Sequence, residues 1–137
     1  MMSPGNSVRT GRAASVVVAL SMLAMVGSAR AQNAAGVAAG QSLYPAKCGG
    51  CHSLDANRIG PAHCGVVGRK PGSAPGYAYS TAVKKLGGVW TPATLDRWLQ
   101  NPQAVAPGAK MYLMVGDAVQ RRQIIAYLAA NSPPRRS

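Results

Sequence analysis

Cys48-Gly49-Gly50-Cys51-His52 is the stretch from which the rest of this chain can be read. Two thiols three positions apart, with a histidine directly after the second, form a c-type haem attachment site. Each thiol adds across one vinyl group of the porphyrin, and two intervening residues let one tight turn reach both. His52 then sits beneath the iron, where a ring nitrogen can ligate it. Gly49 and Gly50 suit a turn pressed against a flat cofactor, because they bring no side chain to clash. Rival uses of these residues fit less well. A zinc site needs four ligands, usually as two pairs. Cys48, Cys51, Cys64 and one histidine supply that number, but their spacing is not that of a usual knuckle. A thioredoxin-like pair belongs in a βαβ context, and no alternating strand pattern flanks this stretch.

Toward the N-terminus, Arg9 and Arg12 give a positive start, and an apolar run follows from Ala13 to Gly27. Ala29-Arg30-Ala31 is a small-x-small cleavage signal, so residues 1–31 are expected to be a signal peptide. The run is too short to span a bilayer comfortably; an uncleaved membrane anchor is the other reading. Arg9 and Arg12 are not adjacent, which favours the general secretory route over a twin-arginine one. Cleavage after Ala31 leaves 32–137, a single domain of 106 residues. Export to the periplasm agrees with the motif, because bacterial haem attachment to such thiols takes place outside the cytoplasm.

This domain has no phenylalanine, five tyrosines and two tryptophans, so a covalent haem has to supply the large apolar body that the side chains do not. Without haem the chain is expected to fold poorly. Twelve Lys and Arg remain after the leader is removed, against Asp55, Asp96 and Asp117, a balance of about +9 before the haem propionates. Nucleic acid, an anionic membrane surface or an acidic protein would each suit such a charge. An exported haem protein has little access to nucleic acid, and no nucleic-acid motif is present. An acidic redox protein (an oxidase, reductase or dehydrogenase) is the expected partner of a soluble monomer, since surface charge steers fast, transient docking. Membrane-surface contact would draw on the same charge.

The chain reads as all-α, with about three main helices and long loops wrapped around one haem. Asn33 to Ala39 is a small-residue stretch with weak structure. A helix within Gly40 to Cys51 turns Leu43 and Tyr44 inward, and Pro45 demands either a start near Ser42 or a kink. Ser53 to Gly76 is rich in Gly and Pro and reads as loop. Ser80 to Leu86 suits a short helix, ended by Gly87-Gly88. Thr91-Pro92 starts another, with an N-cap threonine and proline at the first helical position. It runs to about Gln100 and stops at Asn101-Pro102. Pro107-Gly108-Ala109-Lys110-Met111 is a loop. Asp117 caps a last helix from about Ala118 to Ala130, with Ile124, Tyr127 and Leu128 on one face. A polar, basic tail occupies residues 132–137.

One histidine fills one axial position of an iron. Of six methionines four lie in the leader, so Met111 and Met114 compete for the other, and Met111 has the advantage of a Pro-Gly loop that fixes its backbone. A methionine by itself is usually core filler.

The order of motifs resembles that of a class I cytochrome c of the mitochondrial type, over about residues 40–128. Gly40 and Tyr44 stand before Cys48 as the family's glycine and aromatic do, and Tyr127 matches the aromatic against which they pack. Gly60-Pro61 follows, then Gly65-Val66-Val67-Gly68-Arg69-Lys70 and Ala74-Pro75-Gly76-Tyr77-Ala78-Tyr79-Ser80. Trp90, Leu95, Trp98, Asn101-Pro102 and Pro107-Gly108-Ala109-Lys110-Met111 complete the set. The resemblance implies that Cys48 and Cys51 carry haem c and that His52 and Met111 are the two iron ligands. It also implies that the Pro61 carbonyl fixes the His52 ring. Arg69, Tyr79 and Trp90 are implied to reach the buried propionate, whose desolvation their donors offset. Trp98 is implied to line the crevice on the methionine side.

Three departures stand out. His63-Cys64 replaces the family's leucine and histidine, so His63 is expected to turn outward or bond locally. Cys64 is the one thiol that haem does not use, either buried and inert or able to cross-link a dimer. Lys47 and Lys110 match docking lysines at the haem edge, but Gln103 and Ala104 stand where lysines are common. The function implied is one-electron carriage by a saturated, low-spin iron. A haem subunit of a larger dehydrogenase and a peroxidase-like haem protein are the alternatives.

Overall fold

The computed structural model describes residues 13–133, and among these the chain forms helices and loops with no strand. Arg9 and Arg12 of the expected leader and Arg135 and Arg136 of the tail lie outside the described residues. The helices are α1 (Ala13–Lys47), α2 (Thr81–Lys84), α3 (Pro92–Gln100), α4 (Pro102–Val105) and α5 (Ala118–Ala130). The all-α expectation therefore holds, with α1, α3 and α5 as the main helices. The chain divides into two compact units, Met1–Gln32 and Asn33–Ser137, and the cysteine pair lies in the second. No helix among the described residues is long and apolar enough to cross a membrane.

The structure corrects the expectations for α1. Residues 33–39 are helical, and no helix starts near Ser42. Alanines 34, 35, 38 and 39 favour helix and let it continue through this stretch. Pro45 accordingly sits near the end of the helix instead of in its first turn. Its missing N–H would have met the carbonyl of Gln41, an exposed residue where water can substitute. The amides of Cys48 and Gly49 both donate to the Tyr44 carbonyl, at 2.8 and 2.9 Å, which closes the helix just before the haem motif.

Gly40 brings α1 against α5. A Cβ at this position would collide with the Gln123 carbonyl and lie 2.8 Å from the Tyr127 Cβ, so only glycine permits the approach. One turn later the Tyr44 ring packs on Tyr127, with centroids 5.3 Å apart and planes tilted by 59°. The glycine and two aromatics that the resemblance singled out thus form one crossing.

α3 begins as expected. Thr91 accepts from the Thr94 amide, the Thr94 side chain accepts from the Thr91 amide, and Pro92 opens the helix. α4 was not expected. Asn101 ends α3, yet its side chain accepts from the Ala104 amide at 3.1 Å and Pro102 supplies a preset first turn. The pair that stops one helix starts the next. α5 has the expected range, and Asp117 Oδ1 accepts from the amides of Val119 and Gln120 at 2.7 and 2.9 Å.

The core joins Leu95 and Leu99 of α3 to Ile124, Ile125 and Leu128 of α5, with Tyr44, Val66, Trp90 and Val115 around them. A charged clamp reinforces it. Arg121 is buried, and its Nε donates to Asp96 Oδ1 at 2.7 Å. Its Nη1 donates to the carbonyls of Val115 and Gly116 at 2.9 and 2.8 Å. One guanidinium therefore ties α5 to α3 and to the segment that follows Met111.

Arg121→Ala leaves the buried Val115 carbonyl without its donor and Asp96 without its partner, and should lower the unfolding free energy by about 2–3 kcal/mol in a guanidinium titration. Asp96→Asn should cost less, about 1 kcal/mol. The Arg121 hydrogen bond holds the Asp96 carboxyl below its ordinary 3.8, and the Gln120 and Val119 amides do the same for Asp117. A depressed folded-state value means that this stabilisation is present above about pH 4 and disappears as pH falls further. The acid limb of the stability curve should accordingly be shallower in Asp96→Asn.

Candidate haem-binding site

The cysteine motif forms a tight turn at the end of α1. Cys51 and His52 both donate backbone N–H to the Cys48 carbonyl, at 3.0 and 2.8 Å. This turn places His52 Nδ1 2.8 Å from the Pro61 carbonyl, as the resemblance implied. A carbonyl only accepts, so Nδ1 carries the proton and Nε2 keeps its lone pair. Burial lowers the His52 pKa, partly opposed by the Pro61 bond, which favours the neutral ring that a metal needs. Gly60 is obligatory here, because a Cβ at this position would enter the imidazole ring itself.

All nine site residues of the sequence reading line one cavity of about 300 Å³. Cys48 and Cys51 stand beside His52, Met111 comes from the loop after α4, and Trp90 and Trp98 face each other at 5.3 Å and 59°. Leu95, Leu99, Ile124 and Leu128 contribute the apolar wall. The inner faces of α3 and α5 are therefore also the walls of the site. Cys48 is buried, and burial pushes its thiol up to about 11, whereas Cys51 is exposed. Two thiols, one oriented imidazole, one thioether and an apolar slot form a donor set that fits haem c.

Arg69, Tyr79 and Trp90 reach the same cavity. The Arg69 guanidinium donates to the Ala62 carbonyl at 2.8 Å and to that of Cys64 at 3.2 Å, so it also ties down the loop after Pro61. The Tyr79 hydroxyl accepts from the Ala74 amide at 3.3 Å.

Of the two fates expected for His63, the structure shows local bonding. His63 lines the cavity and stacks on His52, with centroids 4.0 Å apart and planes 20° from parallel. Its Nδ1 shares a 2.9 Å hydrogen bond with the Tyr44 hydroxyl. Burial, then the charges of His52 and Arg69, push its pKa down to about 3, so the ring is neutral at ordinary pH. Cys64 is exposed, which corrects the expectation of a buried thiol: its neighbours Val66 and Arg69 turn inward, and the turn at Gly65 leaves it outside.

Other contributors gave no local signal in the sequence. The Tyr77 hydroxyl donates to the Ile59 carbonyl at 2.7 Å, and Lys110 Nζ donates to the Ala78 carbonyl while lying 5.7 Å from the Tyr77 ring centroid. These bonds hold the segments around the cavity mouth together. Gln103 fastens the loop that carries Met111. Each pairing depends on which loops meet, and no periodicity announces that.

Residues 37–132 match the family model described as cytochrome c. The chain belongs to the cytochrome c family. Membership makes it a single-haem electron carrier and not an enzyme, with covalently attached haem c as its cofactor. Cys48, Cys51 and His52 fit the family's attachment motif. Among its relatives, cytochrome c2 of Rhodomicrobium vannielii is 40% identical over 115 residues, covering 78% of this chain and 92% of that protein. Among solved structures, cytochrome cH from Methylobacterium extorquens superposes with a TM-score of 0.65 at 43% identity, covering 69% of this chain and 97% of the other. Ferricytochrome c2 from Rhodopseudomonas palustris gives 0.64 at 34% identity, covering 69% and 96%.

Gly60→Ala should force the His52 ring off the Pro61 carbonyl. The expected result is a sharp drop in holoprotein yield, with residual protein of mixed spin state in its optical spectrum. Native holoprotein treated with iodoacetamide should gain one label by mass, on Cys64, because Cys48 and Cys51 are consumed as thioethers.

Proposed function

We propose that the mature protein is residues 32–137, a periplasmic carrier that shuttles single electrons between redox proteins after removal of residues 1–31 as a signal peptide. In this reading Cys48 and Cys51 hold the haem, and His52 and Met111 ligate its iron. Bound in this way, haem c supplies a one-electron couple whose potential the methionine ligand raises. The observation that carries the reading is the His52 ring, held by Pro61 with Nε2 free, in a cavity that Met111 also lines. Two protein ligands leave no open coordination position for a substrate. Leucines, tryptophans and Ile124 line the enclosed face, and Arg69, Tyr79 and Trp90, which border the same cavity, would receive a buried propionate.

The rim of the same cavity supports docking. Ile59 and Tyr112 are 76% and 73% exposed, and Leu113, Lys47 and Lys110 are exposed beside them. Exposed apolar groups flanked by lysines suit a transient complex with an acidic redox protein, an oxidase, reductase or dehydrogenase. A monomer meets this need.

The exported protein should show low-spin spectra, with a methionine-to-iron band in the oxidised form that Met111→Ala loses, and a mass that begins at Gln32. A high-spin wild type that binds carbon monoxide readily would overturn the carrier in favour of a catalytic or sensing haem.

A further inference from the structure

Gln103 follows Pro102 in the first turn of α4, and its side chain is turned onto the loop that carries Met111. It is half-buried, and all its polar atoms engage one loop. Nε2 donates to the carbonyls of Ala109 and Met111, at 2.8 and 2.9 Å, and Oε1 accepts from the Gly108 amide at 3.1 Å. Three hydrogen bonds from a single amide thus span residues 108–111, and the last of these lines the cavity. The loop has further fastenings within the same span. The Ala109 amide donates to the Ala106 carbonyl at 2.9 Å, and Lys110 Nζ reaches Ala78. Of these, Gln103 alone bonds the backbone of Met111 itself.

The chemistry of the site gives this staple a purpose. A thioether is a neutral, soft ligand on a side chain with three rotatable bonds, so its hold on a metal depends on a backbone that does not wander. A lysine at 103 could not do the same work. Its ammonium has donors only, so the Gly108 N–H would lose its acceptor.

We infer that Gln103 is a positioning residue that sets how firmly Met111 would be held as a ligand to the haem iron. The inference rests on the reading of Met111 as ligand. Release of the methionine requires the 108–111 loop to move, and that movement breaks the Gln103 bonds. Without them the loop opens more often, and a competing ligand enters through the opened state.

The test uses oxidised holoprotein with wild type, Gln103→Leu and Gln103→Ala side by side. Leucine keeps most of the bulk and none of the hydrogen bonds, so it separates fastening from packing. Imidazole should replace the methionine roughly tenfold or more faster in both variants, the size expected when at least one net hydrogen bond is lost. Amide exchange at Gly108 should speed up by a similar factor, while exchange in α3 and α5 stays near the wild-type rate. A merely structural role would instead accelerate all of these together, and that result would overturn the inference. So would a Gly108 amide in the wild type that exchanges as freely as an unstructured one, which settles the matter even if neither variant folds. If the wild type shows the methionine band but the variants take up imidazole at its rate, only the role of Gln103 fails. If the wild type lacks the band, the ligand reading fails and takes this inference with it.

Discussion

The 2.8 Å bond from His52 Nδ1 to the Pro61 carbonyl is the constraint around which the molecule is arranged. It fixes the ring's tautomer and its plane, and it joins the cysteine turn to the loop that begins the chain's return path. Several residue choices follow from it. Gly60 has no side chain because one would occupy the ring, and His63 lies flat on the ring's face, steadied by Tyr44. Arg69 then grips the carbonyls on the far side of the same loop. A ligand held by its second nitrogen is a common means by which proteins orient a metal-binding imidazole. Here the supporting group is backbone, so no change of side chain at Pro61 can remove the carbonyl itself.

A second constraint is size. A domain of this length has little apolar surface to bury, and the chain has no phenylalanine to enlarge it. Leu95, Leu99, Ile124 and Leu128 serve at once as the contact between α3 and α5 and as the wall of the cavity. Core and site are therefore one surface. A substitution on that face disturbs both, and the stability of the fold cannot be separated from the attachment of the cofactor.

The long loops raise a different difficulty, since every buried backbone group in them needs a partner that no helix or sheet supplies. Side chains meet it. Asn57 accepts from the Ala62 amide and donates to the Pro75 carbonyl, Ser132 accepts from the Val67 amide, and Gln103 and Arg121 fasten the segments before and after Met111. Two of these bonds, Asn57 to Pro75 and Val67 to Ser132, join segments distant in sequence, and the others close turns of five or six residues. They make the cavity rim a built structure and not slack chain between helices.

The sequence by itself determined the attachment motif, the helix caps at Thr91 and Asp117, and the all-α class. These signals are local: a thiol spacing, or a capping side chain beside its own amides, has the same meaning wherever it occurs. The Gly40–Tyr44–Tyr127 crossing was legible too, though only through resemblance, because no local rule pairs residues more than eighty positions apart. Tertiary structure decided the rest. It carried α1 through residues 33–39, which alanine propensity allowed but did not compel, and it let Asn101-Pro102 begin a helix as well as end one. It placed His63 on His52 instead of in solvent, turned Cys64 outward, and gave Gln103 the loop at 108–111 to hold. In each case the outcome depends on which loop arrives opposite the side chain, and that is known only once the chain has closed around its cavity.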